Sequence, residues 1–190
     1  ISPGNDIRYM PEKLESASNF ANKLWNAAKF VLLWGEPEEV KTENLSIEDK
    51  WIISKLNTLT KEVDEKLASY DITSAALQIE SFTDELSNWY VRTNRERFWG
   101  EELTDDKIGA YTTLYKVLVS LIKISAPFVP FMTEEIWQNM VRSFEPNEVK
   151  SIHLSDYPAP TPEFENEEIL AEMKYIIRDH DAEKFTQRCE

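Results

Sequence analysis

The 190-residue sequence contains one cysteine, Cys189, two isolated histidines, His153 and His180, and only four glycines. A lone thiol closes no internal disulfide and builds no thiolate cage, and two distant histidines lack the spacing of a zinc site. Four glycines in 190 residues is well below the usual share of about 7%. That scarcity argues against a β-sandwich and against a Gly-rich phosphate loop; neither a Walker loop nor a dinucleotide fingerprint is found. The longest apolar run, Phe30 to Trp34, falls far short of the roughly 20 residues that span a bilayer. No charged-then-apolar leader opens the chain, so a soluble, cytoplasmic protein without membrane association is expected. The chain opens on Ile1 rather than methionine and reads as a fragment or excised domain.

What is abundant is hydrophobic residues, at 42%, and acid: 35 Asp and Glu against 21 Lys and Arg, a formal net charge of -14. The first supports a sizeable core. The second, taken alone, points away from nucleic acid, whose phosphates reward clustered Lys and Arg. The acid is unevenly spread: residues 36–49 hold six acids and one lysine, and residues 163–190 hold nine acids and four basic residues. Where the cations sit therefore matters more than their number.

Apolar residues recur at helical spacing through most of the chain. Pro11 opens a first helix that runs to about Trp34, with Gly35 and Pro37 as stop signals. Ser46 and Asp49 have the spacing of a capping box for a second helix, which ends near Tyr70. Asp71 or Thr73 caps a third that can run on to Trp99, where Gly100 ends it. Thr104, followed by Asp105 and Asp106, starts a fourth that reaches about Ser125. Pro127 and Pro130 interrupt the chain, and Thr133 is expected to cap a fifth helix to about Arg142. Lys150 to Ser155 reads as an extended piece, residues 157–162 as a Pro-rich linker, and Asn166 to Arg178 as a last helix. Long helices with short connectors predict an all-α, elongated antiparallel helical bundle. The expected division is a loop at 1–10, a bundle at 11–145, an extended linker at 146–162 and the start of a C-terminal helical extension at 163–190.

One stretch reverses the global charge. Residues 86–99 contain Arg92, Arg95 and Arg97 against Glu96 alone, a local net of +2. On a helix Asn88, Arg92, Arg95 and Trp99 share a face. An amide, two guanidinium groups and an indole in one stripe can hold phosphates and stack on an unpaired base. The competing reading is a helix end whose arginines complement the C-terminal dipole or pair with Glu101, Asp105 and Asp106. In the first helix Asn19, Asn22, Asn26 and Lys29 form a second polar stripe, able to reach base edges or phosphates, or else a solvated face. Arg8 could join either stripe.

Other combinations point to no chemistry. Glu134 and Glu135 suit a helix first turn better than acid/base work. Ser151, His153 and Asp156 lack a nucleophile elbow and an oxyanion-hole glycine. Trp25, Trp51, Trp89 and Trp137 sit on apolar stripes as core residues. No catalytic residue and no metal ligand is expected.

The run Asp84 to Arg92, continuing through Arg95, Arg97, Phe98 and Trp99, resembles the anticodon-binding helical domain of the isoleucyl-tRNA synthetase family. The runs Asp49 to Asn57, Tyr111 to Leu121, Ala126 to Trp137 and Ser151 to Pro158 resemble it as well, in family order. The opening, Pro3 to Arg8 with Asn19 to Asn26, is closer to valyl-tRNA synthetases, close relatives in the same class I subgroup. The valyl pattern typically has a Cys-Asp pair where Ser87-Asn88 stand.

The resemblance implies a monomeric module that binds the anticodon stem-loop of tRNA. It would work with a catalytic domain on the same polypeptide, which uses ATP and Mg to join isoleucine to its tRNA. Neither signature motif of that catalytic domain is found here, so these residues should lack aminoacylation activity and hold no cofactor. The expected tRNA-binding residues are Asn88, Arg92, Arg95, Arg97 and Trp99, with Asn22, Asn26 and Lys29 lining the same groove. Two readings from other classes compete: a helical protein-interaction scaffold and an independent enzyme with a novel site.

Overall fold

Side-chain caps set three of the helix starts in the computed structural model, which describes residues 10–32, 45–99, 102 and 104–187. Helix α1 covers Pro11–Leu32, α2 Ile47–Ala68 and α3 Ile72–Glu85; α3 passes through a π-helical turn, Leu86–Val91, toward the short α4, Arg95–Trp99. Then come α5, Asp105–Ser125, α6, Pro130–Ile136, with a second π-helical turn at Trp137–Val141, and finally α7, Glu167–Gln187. The described residues contain no strand, and the all-α expectation holds. None of their helices is long and apolar enough to cross a membrane.

The N-caps follow the sequence closely. Ser46 Oγ accepts from the Asp49 N–H while the Asp49 carboxylate accepts from the Ser46 N–H, a complete capping box at the start of α2. Asp71, rather than Thr73, caps α3 by accepting from the Ser74 N–H. Thr104 caps α5 through the Lys107 N–H. Between α2 and α3 the chain turns at Tyr70, with φ 61°, and the Asp71 N–H reaches back to the Lys66 carbonyl, closing the helix end as left-handed caps do.

Three expectations fail, one of them the end of the last helix, which runs to Gln187 instead of about Arg178. Thr133 does not cap α6; the helix begins at Pro130, and the Thr133 hydroxyl donates back to the Val129 and Pro130 carbonyls inside the first turns. Proline supplies the start because it already has a helical φ and its missing N–H needs no partner there. Residues 150–155 are not extended either: Ile152–Leu154 form a 3-10 turn. Glu134, expected as a first-turn dipole residue, holds that turn by accepting from Ser151 Oγ at 2.8 Å and the Ile152 N–H at 3.0 Å. The stops at Gly35 and Gly100, residues 36–44 of the acidic stretch and the opening loop with Arg8 lie outside the described residues.

The core joins α1, α2, α3 and α5 through Leu24, Val31, Trp51, Ile52, Ile79, Leu114, Leu118, Leu121 and Ile122, all buried. Burial of each such large side chain contributes about 1.5–3 kcal/mol against the entropy of ordering the chain. Trp51 and Trp137 are fully buried, while Trp25 and Trp89 pack partly buried against the same core. Residues beyond α6 return along α2: Tyr157 Oη donates to the Thr60 carbonyl, the Asn57 side chain exchanges two bonds with the Thr161 backbone, and the Asn166 N–H donates to Ser54 Oγ. Met173 of α7 then enters the core.

Glu134→Ala should release the 149–155 segment. The expected loss is about 1–2 kcal/mol, the cost of leaving its buried donors unpaired, seen as a lowered Tm with faster proteolysis between Val149 and Ser155. An unchanged cleavage map would refute the anchoring role.

Candidate nucleic-acid interface

The 72–99 rod buries Phe82, Leu86, Tyr90, Asn94 and Phe98, a strict period of four. On an ordinary α-helix, with 3.6 residues per turn, each step of four overshoots one turn by about 40°, so the line would wind off the core. The wider π-turn at Leu86–Val91 takes up that drift and keeps all five residues facing inward. The complementary positions Asn88, Arg92, Arg95 and Trp99 are then all exposed.

Asp49 anchors the rod. Fully buried, it accepts from Tyr90 Oη at 2.5 Å, from Arg97 Nη1 and Nη2 at 3.0 and 2.8 Å, and from the Ser46 N–H at 3.0 Å. Arg97 also forks onto Asp106, Nε and Nη2 donating at 2.9 and 2.7 Å, and donates to Asn94 Oδ1 at 2.8 Å and to Ser46 Oγ at 3.2 Å. Asn94 Nδ2 donates to the Tyr90 carbonyl at 2.9 Å, satisfying a backbone group at the π-turn exit. Burial pushes the Asp49 carboxyl up, but the bonds from Arg97 and Tyr90 and the Arg97 charge outweigh it and hold it below the usual carboxylate value. Burial works against the Arg97 charge, yet the Asp49 and Asp106 bonds raise its pKa, so it stays protonated. Burial and the Asp49 charge raise Tyr90 well above the ordinary phenol value, fixing it as a donor.

The expected site residues divide into three groups. Asn88, Arg92, Arg95 and Trp99 are exposed; the Trp99 indole is 61% accessible, and the Arg95 guanidinium carbon lies 5.4 Å from its ring centroid, within cation–π range. Arg97 departs from its expected place. Its side chain is only 16% exposed, and all three of its nitrogens already donate to the protein, leaving no fork for a phosphate. The alternative reading, pairing with Asp106, describes this arginine correctly. The residues that hold it in place, Asp49, Tyr90 and Asn94, were not read as site residues in the sequence; Asp49 showed only as a cap.

Asn22, Asn26 and Lys29 are exposed on one face of α1. Lys23, not Lys29, faces the rod, bonding Asp84 at 2.6 Å, whereas Lys29 lines a hollow with Glu135 and Asn139 on the α6 side. Near Asn19 the α1–α3 groove is lined by Glu12, Glu15, Glu80 and Asp84 against Lys23 alone, a field that repels phosphate. Of the three arginines in residues 86–99, Arg92 and Arg95 are therefore the exposed ones. Among the described residues no group of His, Cys, Asp and Glu side chains could hold a metal ion.

The family model for the anticodon-binding domain of tRNA ligases matches residues 49–187. The chain belongs to this family. As an anticodon-binding domain it is 49% identical over 181 residues to the isoleucine–tRNA ligase of Clostridium tetani, covering 90% of the chain and 17% of that protein. It is 54% identical over 152 residues to the enzyme of the same name from Clostridium novyi, covering 76% of the chain and 14% of that protein. A valine–tRNA ligase from Carboxydothermus hydrogenoformans is 38% identical over 180 residues, covering 93% of the chain and 20% of that protein. The domain thus spans less than a quarter of these relatives' length, and its matched portion includes Asp49, the rod and α5.

The anchoring pair sets a pH dependence. Because the folded pKa of Asp49 is depressed, its contribution is full above the unfolded value of about 3.9 and is lost as pH falls through the lower folded value. Asp49→Asn should cost about 3 kcal/mol, the low end for breaking a buried pair, because Asp106 still neutralises Arg97. It should also flatten the acid limb of stability below about pH 4. Urea melts across pH test both; an unchanged acid limb would contradict the assignment.

Proposed function

We propose that this anticodon-binding domain serves an isoleucine–tRNA ligase and contacts the anticodon stem-loop of its tRNA through Asn88, Arg92, Arg95 and Trp99. The observation that carries this reading is the exposed stripe of an amide, two unburied arginines and an indole within a family of anticodon-binding domains. Arg92 and Arg95 would neutralise phosphates, Trp99 would stack on an unpaired base, and Asn88 would hydrogen-bond to a base edge or sugar. Asn22, Asn26 and Lys29, which share one face of α1, would add contacts from the neighbouring helix.

Isoleucine is favoured over valine by identities of 49% and 54% to two isoleucine–tRNA ligases against 38% to the valine–tRNA ligase. Chemistry would lie on a catalytic domain of the same polypeptide, with ATP and Mg bound there, and the working form would be a cytoplasmic monomer. The bundle at 11–145 would carry the RNA surface and residues 163–190 would open the C-terminal extension. A protein-interaction scaffold would instead present an exposed apolar patch without a basic stripe.

Arg92→Ala and Arg95→Ala should each weaken binding of tRNA bearing an isoleucine anticodon. Each should also reduce the slope of log affinity against log salt by about 0.7, the value for one contact to a single-stranded phosphate. Filter binding at several salt concentrations reads both quantities. Unchanged affinity and slope in both variants would rule out this surface.

A further inference from the structure

Building on the reading of Asn88, Arg92, Arg95 and Trp99 as the RNA-facing stripe, we infer that Arg97 is a positioning residue: it fixes Arg95 and Trp99 for RNA without touching RNA itself. Helix α4 has five residues, far fewer than the roughly 12–15 that an isolated helix needs to be even marginally stable. Its geometry is therefore imposed by what it is tied to. Phe98 is buried, its ring centroid 5.1 Å from Phe30, 5.0 Å from Tyr111 and 6.4 Å from Tyr90, and Tyr111 Oη donates to the Phe98 carbonyl at 3.2 Å. With the backbone bonds from the Asn94 N–H to the Tyr90 carbonyl and from the Phe98 N–H to the Asn94 carbonyl, these contacts hold the helix at Phe98.

Arg97 supplies the second point. Its planar fork is clamped between Asp49 at the start of α2 and Asp106 at the start of α5, so the roll of α4 is set by two elements at once. It also holds Asn94, the residue through which the chain leaves the π-turn. With Arg97 and Phe98 both directed inward, Arg95 and Trp99 are directed outward four residues apart and already in cation–π contact. A stripe ordered before RNA arrives avoids the cost of ordering those side chains on binding. A guanidinium is suited to this role because its rigid fork pairs two carboxylates in fixed directions, which an ammonium cannot do.

The test compares Arg97→Gln, Arg95→Ala and a core control, Leu118→Ala, in the intact polypeptide, at a temperature where circular dichroism shows all three folded. Arg97→Gln is expected to weaken tRNA binding on the order of tenfold while leaving the salt slope at the wild-type value; Arg95→Ala lowers the slope by about 0.7. Leu118→Ala, destabilised by its cavity, keeps wild-type affinity, which separates positioning from general loss of stability. A slope reduced in Arg97→Gln would mean that Arg97 touches phosphate, and an unchanged affinity would mean that it positions nothing; either overturns the inference. Should Arg97→Gln fail to fold, Asp106→Asn removes the exposed half of the clamp and is expected to weaken binding about threefold at unchanged slope, a smaller loss because Asp49 still holds the fork. Wild-type affinity in Asp106→Asn would overturn the inference equally. A readout without RNA separates this proposal from the tRNA reading: the 5-fluorotryptophan resonance of Trp99, assigned by its loss in Trp99→Phe, should shift in Arg97→Gln and not in Leu118→Ala. If that resonance stays in place, the positioning role is wrong whatever the tRNA data show.

Discussion

The buried carboxylate of Asp49 is the constraint on which the candidate interface depends. It closes the capping box that starts α2, receives the Tyr90 hydroxyl at the π-turn and pairs with Arg97 of α4. A carboxylate with no exposure is costly unless each lone pair finds a donor, and here backbone, phenol and guanidinium supply them. Because the donors come from three places in the chain, the carboxylate can be satisfied in only one arrangement of α2, the rod and α4. Arg97 carries the constraint to Asp106 and so to the start of α5.

That arrangement revises the electrostatics of the basic stretch. The composition places three arginines against one glutamate in residues 86–99, but the Arg97 charge is spent on Asp49 and Asp106. Two arginines remain toward solvent, concentrated beside an exposed indole. A strongly acidic domain can meet RNA on such terms because the contact is local, and at physiological salt charges beyond about 8 Å are largely screened. The acidic α1–α3 groove near Asn19 then sets an edge to the surface.

The helices were largely legible because capping and periodicity are local. Ser46, Asp71 and Thr104 cap where their side chains can reach the first free N–H groups, and the buried positions of α2 and α5 follow helical spacing. The two π-turns were not legible: both lie within runs of helical character, and at Leu86–Val91 the wider turn follows from the line of core contacts rather than from any residue in it. Thr133 misled for a related reason. It is a good cap in isolation, but proline at 130 had already started the helix, leaving the threonine hydroxyl to bond backward.

The sequence by itself determined the helical class, the caps, the exposed Asn88, Arg92, Arg95 and Trp99 and, through motifs in order, the resemblance that the family match bears out. All of these depend on neighbours within a few turns or on patterns along the chain. Only the tertiary structure decided which of three nearby arginines turns inward, that Lys23 rather than Lys29 pairs with the rod, and that Glu134 ties down the 150s. Each of those outcomes depends on a partner far away in sequence: Asp49 lies 48 residues from Arg97. Short-range propensity cannot choose between two solvated positions and one buried one when all three are arginine; that choice falls to the buried carboxylate waiting for a partner.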